Sequence, residues 1–256
     1  MDPLRLDGAC FGYGSHRVLH DVSFSVQAGE FLAIVGPNGC GKSTTLRLLA
    51  GLERPDAGRV LVMGREAASY SRRAFARHVA LLTQGVGVPP ALVARDMVAM
   101  GRHARQGFLN RRSREDDAAI DRALEEMEVA DLAHRRMGEL SGGQVQRMRM
   151  AMVLAQGGDV LLLDEPTTFL DLRHQYGLLR RARRAAREGR AVVAVLHDFT
   201  QASLYADRIL LMHEGRVAGH GTPGGVLTET AIHRVFGVRT RGVQMGGAVF
   251  HIPAEP

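Results

Sequence analysis

An uninterrupted apolar run, Phe31-Leu32-Ala33-Ile34-Val35, leads directly into Gly36-Pro37-Asn38-Gly39-Cys40-Gly41-Lys42-Ser43, and Thr44 then opens a segment with Leu46, Leu49 and Ala50 at helical spacing that stops at Gly51. A short run with no polar alternation is a strand covered on both faces, so the sheet it belongs to needs helices around it. The glycines let the backbone close around an anion with its N–H groups pointing inward. The helix start adds a partial positive charge. Strand, G-x-x-x-x-G-K-[ST] and helix in that order predict a loop that cradles phosphates, with Lys42 reaching the β- and γ-phosphates and the Ser43 hydroxyl taking Mg²⁺.

The use of lysine points the same way. Of the 33 basic residues Lys42 is the sole lysine, so arginine serves everywhere that a positive charge of any shape suffices. A compact ammonium on a flexible stem is wanted at position 42 and nowhere else. The net charge of +6 comes from arginines spread along the chain, which predicts a solvated surface rather than a nucleic-acid patch. Cys10 and Cys40 have no metal-site spacing. No run of 18 or more apolar residues exists and the first residues lack a secretory pattern, so a cytoplasmic chain is expected.

Further strands are predicted at Val60–Met63, Val79–Thr83, Val160–Leu163 and Ala191–Leu196, with a hairpin of 208–212 and 216–218 around Glu214-Gly215. Helices alternate with them, as at Leu172, Tyr176 and Leu179. Residues 85–155 read as helical, with Ser113 capping a helix that shows Ile120, Leu124 and Met127 on one face. The expectation is an α/β fold with a largely parallel sheet.

Two further motifs carry chemistry. Val160 to Leu163 delivers Asp164 and Glu165 to a strand end, where ligands bind in such sheets. Asp164 would hold the Mg²⁺ shell and Glu165 would polarise an attacking water. Leu140-Ser141-Gly142-Gly143-Gln144 opens a helix as a second anion site, which makes sense if it serves a partner's nucleotide.

With these residues in order, the chain resembles the ABC transporter ATPases over nearly its whole length. Gly36 to Ser43 resembles the Walker A loop, Leu140 to Gln144 the ABC signature, and Val160 to Glu165 Walker B with its catalytic glutamate. Gln84 is similar to the Q-loop glutamine, Phe169-Leu170-Asp171 to the D-loop, His197 to the switch histidine, and Tyr13, with His16 as a lesser candidate, to the aromatic that stacks on adenine. The resemblance implies a P-loop NTPase core over 1–84 and 156–236, an antiparallel β subdomain, an inserted helical subdomain over 85–155 and a short extension over 237–256. It implies ATP and Mg²⁺ as cofactors. It places Glu165, His197 and Gln84 in catalysis and Ser43, Gln84 and Asp164 on the metal. Gly36 to Thr44, Tyr13, Ser141 to Gln144 and Asp171 would bind nucleotide. Two copies would meet head to tail, with Lys42 of one and Ser141, Gly142 and Gly143 of the other closing on one ATP.

Glu165 to Asp171 with His174-Gln175, Arg95 to Val98 with Gly101-Arg102, and His197-Asp198 with Gln201-Ala202 resemble the motors of importers for ferric siderophores, haem and cobalamin. That branch implies integral-membrane permease subunits as partners, docked at 85–105. A periplasmic or lipoprotein substrate-binding protein would be an indirect partner, and the site of action would be the cytoplasmic face of the inner membrane. The alternatives are a haem or cobalamin motor, an exporter motor, and a soluble ATPase acting on nucleic acid. The last usually carries two cassettes or a coiled-coil insertion, and neither is present here. Cys40, expected to point a thiol near the phosphates, and Phe199-Thr200 depart from the family pattern.

Overall fold

The computed structural model describes residues 2–83, 85, 87–107, 111–168, 170–245 and 248–254. In chain order the elements are β1 (Leu4–Tyr13), β2 (His16–Val26), β3 (Phe31–Val35), α1 (Lys42–Leu49), β4 (Ala57–Val62), β5 (Arg65–Glu66), α2 (Arg72–His78) and β6 (Val79–Leu82). Then follow α3 (Ala94–Met100), α4 (Arg114–Glu126), α5 (Gly142–Gln156), β7 (Val160–Asp164), α6 (Leu172–Arg187), β8 (Ala191–Val195) and α7 (Phe199–Tyr205). The chain ends with β9 (Arg208–His213), β10 (Arg216–Gly221), α8 (Pro223–Val226), α9 (Glu229–Phe236), β11 (Thr240–Met245) and β12 (Ala248–Pro253).

The main sheet has the order β10-β9-β3-β8-β7-β6 and is parallel from β9 to β6. An antiparallel sheet, β2-β1-β4-β5, forms a second layer. The apolar strands explain the layering. In β3, Phe31, Ala33 and Val35 face one core while Leu32 and Ile34 face the other. β7 and β8 divide their residues between the same two cores. The period of two thus splits a continuous apolar run between two covered faces. One core takes in α3 to α6; the other takes in Leu46, Leu48 and Leu49 of α1 and the inner face of the antiparallel sheet.

Local chemistry sets the element ends. Ser113 caps α4 in a reciprocal box with Asp116, whose carboxylate also accepts from the buried Arg102 at 2.8 Å. Asp171 caps α6 and Asp198 caps α7. Glu214 and Gly215 both have positive φ, as a two-residue hairpin turn between β9 and β10 requires. Most of α5 is buried, because α3 and α4 pack on it on one side and the sheet lies on the other. The last residues, read as a short extension, pair as an antiparallel hairpin, β11 with β12. It packs on α7, where the Phe199 ring meets Phe236 edge-on at 4.9 Å and His251 at 6.3 Å. No helix among the described residues is long and apolar enough to cross a membrane.

Candidate functional site

The parallel register puts the predicted residues at one edge of the sheet. Ile34 of β3 and Asp164 of β7 both pair with Val195 of β8, so the three strands end in one row. The segments that leave this row carry Gly36, Glu165 and His197. β3 lies between β8 and β9, which come later in the chain, so the order switches direction beside it and opens the crevice where such sheets bind ligands.

The loop after β3 is built on close approaches. A Cβ on Gly36 would sit 2.3 Å from the Met212 carbonyl oxygen, which excludes any larger residue. Gly41 has φ 101° and precedes α1 with no side chain capping the helix start. Lys42 is only 5% exposed, and its Nζ donates to the carbonyl oxygens of Gly36 (2.9 Å) and Pro37 (2.8 Å). The ammonium is thus held across the loop by weak neutral acceptors that an anion can replace. A cavity of about 170 Å³ is lined by Val18, Asn38, Gly39, Gly41, Lys42, Ser43, Thr44 and Glu165.

Ser43 Oγ donates to Asp164 Oδ1 at 3.0 Å. Burial pushes the Asp164 carboxyl above its usual range. The Ser43 hydrogen bond opposes that shift, and the neighbouring Glu165 charge adds to it. His197 Nε2 lies 2.6 Å from Glu165 Oε1, joining the ends of β7 and β8. Glu165 itself has φ 47°, an unfavourable backbone for a non-glycine residue that points to a functional constraint. A second cavity of about 280 Å³ shares Ser43 with the first and adds Asp164, Leu46, Arg47, Leu52, Leu81 and Thr83.

Other predicted residues lie elsewhere or are used differently. Tyr13 stands at the tip of the β1–β2 hairpin, 44% exposed, with its hydroxyl accepting from Arg47 Nη1 at 3.1 Å and its ring edge-on to Phe11. Cys40, expected to point a thiol near the phosphates, lines neither cavity. It is 5% exposed and packs in the core beneath the loop, and burial pushes its thiol pKa up. Ser141 and Gln144 form a capping box at the start of α5 (Gln144 N to Ser141 Oγ 3.3 Å, Ser141 N to Gln144 Oε1 2.9 Å), and no residue from Ser141 to Gln144 lines either cavity. Asp171 accepts from the His174 backbone N–H at 2.9 Å and faces solvent. Gln84 and Phe169 lie outside the described residues.

The ABC transporter family profile matches residues 19–168, more than half of the chain. The chain belongs to the ABC transporter family. This ABC ATPase binds ATP and couples its hydrolysis to transport. It is 39% identical over 237 residues to the ferric enterobactin transport ATP-binding protein of Escherichia coli (strain K12), spanning 92% of this chain and 88% of that protein. It is 42% identical over 243 residues to the hemin import ATP-binding protein of Rhodopseudomonas palustris (strain BisB5), spanning 92% and 90%. A solved chain described as a metal-chelate type ABC transporter, in an inward-facing conformation, superposes with a TM-score of 0.84 at 28% identity, covering 100% of this chain and 98% of that one.

Several residues that shape the site escaped the sequence reading. Val18 lines the first cavity and Arg47 holds Tyr13. Gln146 and Arg149, both buried on α5, reach the backbone of Pro166 and Thr83 beside the two strand ends. Only the polar residues inside an otherwise buried helix would have marked Gln146 and Arg149, and no local signal marks Val18 or Arg47.

Proposed function

We propose that the ABC ATPase is the motor subunit of an importer for an iron-chelate cargo of the siderophore type. The observation that carries the site assignment is the Glu165–His197 pair at 2.6 Å on the same sheet edge as Lys42, Ser43 and Asp164. The relatives' names carry the cargo class. A haem cargo is the second reading, favoured by the 42% identity to a hemin import subunit.

In this reading the Gly36–Thr44 loop and Lys42 bind the phosphates, and the exposed Tyr13 ring offers a face to the adenine. Ser43 and Asp164 are adjacent oxygen donors, one of them a buried carboxyl, which suits a hard divalent ion. Mg²⁺ usually takes few protein ligands and completes its shell from substrate phosphates and water. When bound it would offset the charge of the phosphates. Glu165 accepts the proton of the attacking water, and His197 holds the glutamate in place and leaves it as the γ-phosphate arrives. Gln84 would report nucleotide state to the permease, and Asp171, at the head of α6, would meet the second copy.

The two copies would face each other across a two-fold axis, so that Ser141, Gly142, Gly143 and Gln144 of one close the nucleotide of the other. Residues 1–84 and 156–236 form the nucleotide-binding core in this reading, 85–155 the helical subdomain and 237–256 the extension. Permease subunits dock along 85–105, a substrate-binding protein acts at one remove, and the motor sits peripherally on the cytoplasmic face of the inner membrane.

The test is Mg²⁺-dependent ATP turnover by the purified chain beside a Glu165→Gln variant. The variant should lose about 10²–10⁴-fold in turnover and accumulate an ATP-bound dimer by sedimentation. Turnover at the wild-type rate in Glu165→Gln would remove the assignment. Stimulation by a co-expressed permease would be read in the same assay.

A further inference from the structure

Arg149 lies in the middle of α5, 9% exposed, and its guanidinium pairs with no carboxylate among the described residues. Its Nη2 donates instead to the Thr83 carbonyl oxygen and, at 3.2 Å, to the Thr83 hydroxyl. Burial pulls its pKa down with no opposing charge to restore it. Withdrawing a guanidinium from water without an anionic partner is unfavourable, and a methionine would fill the same space without that penalty. Packing alone therefore gives no reason for the charge.

Its geometry does. Gln146, one turn earlier and on the same helix face, is also buried and donates to the Pro166 carbonyl oxygen at 3.1 Å, directly after Glu165. Thr83 lines the cavity shared with Ser43 and Asp164. One face of α5 thus grips the two chain segments that leave β6 and β7 at the reaction edge, while the start of the same helix presents Ser141, Gly142 and Gly143. Arg149 thereby links the helix to Thr83, and Gln146 links it to the Glu165 segment.

We propose that Arg149 is a positioning residue for ATP hydrolysis, tying the helix that carries the Ser141–Gly143 tip to the Thr83 wall of the site. This rests on the reading of Glu165 as the group that activates water. Both Thr83 acceptors are reached from one nitrogen, Nη2, at the far end of the planar guanidinium; a lysine supplies the charge on a stem one atom shorter, without that reach.

The experiment is steady-state ATP hydrolysis and thermal unfolding of the full chain for wild type, Arg149→Met, Arg149→Lys and Thr83→Val, with Glu165→Gln alongside. Arg149→Met should melt at or above the wild-type temperature, keep KM for ATP within about twofold, and lose roughly 10- to 100-fold in kcat. Arg149→Lys should recover part of that loss, and Thr83→Val should show a smaller loss that vanishes in the Arg149→Met background. Wild-type kcat in Arg149→Met overturns the inference. So does a fall in kcat that comes with a lower Tm and a raised KM, which marks a packing role. Should Arg149→Met fail to fold, the kcat-against-KM split in Arg149→Lys decides in the same way. Failure of the underlying reading is separate: it shows as turnover that Glu165→Gln does not abolish.

Discussion

The starts of α1 and α5 are both glycine-rich, both carry a serine, and both read in the sequence as anion sites, yet they are built in opposite ways. Before α1 the loop is held open: no side chain caps the helix, Gly41 takes a left-handed turn, and the Lys42 ammonium rests on two carbonyls that a phosphate can replace. Before α5 the helix caps itself, with Ser141 and Gln144 satisfying each other's backbone N–H. The first lines a cavity built from its own chain. The second is an exposed tip, and among the described residues nothing lies within 4 Å of a Cβ at Gly142. A capping box and an anion site draw on the same residue types, and only the surroundings tell which is at work.

The difference can be broken most severely at Lys42. Lys42→Ala should lower ATP affinity about 10- to 100-fold, as expected for removing a charged donor, with turnover falling in parallel; equilibrium binding of a fluorescent ATP analogue reads it. Unchanged affinity would mean that the α1 site is not the nucleotide site. Gly142→Asp sharpens the contrast. Among the described residues nothing lies within 4 Å of a Cβ at Gly142, and an acidic residue in the first turn favours the helix, so the isolated chain should fold and bind ATP as before. Turnover should still fall roughly tenfold or more, since a phosphate closing on that tip meets a like charge. Loss of ATP binding by the monomer would contradict the account.

The smallest effect is on stability. Burial raises the Asp164 pKa in the folded chain, so the fold holds this proton to higher pH than the unfolded chain does. Ionisation therefore lowers stability as pH rises from about 4 through the raised value. Asp164→Asn should abolish turnover yet melt higher at neutral pH, by about 2–4 °C for each kcal/mol recovered, and the gain should shrink in acid. Equal melting of the two proteins at all pH values would mean that Asp164 is not held at a disadvantage.

The parts of the molecule that were legible in advance are those set by local rules. The apolar runs of β3, β7 and β8 mark the buried sheet, and Ser113 marks the head of α4. The loop from Gly36 to Ser43 is a contiguous motif and needs no tertiary information. α2 is missed because none of its residues is fully buried, leaving no apolar stripe to read. The β11–β12 hairpin is missed because its first strand is almost wholly exposed, so alternation carries no burial signal. Cys40 turns inward because the space beneath Gly36 is apolar, which the loop sequence does not reveal. Arg149 and Thr83 lie 66 residues apart, and no periodicity records such a contact.

The central claim is that one helix start binds nucleotide within its own chain and the other acts only on a partner's. Mixing purified Lys42→Ala with Gly142→Asp tests it directly. In a mixed dimer one site combines an intact Lys42 from one copy with an intact Gly142 tip from the other, so turnover should rise well above that of either variant alone. A mixture no more active than the average of its two parts would contradict the account.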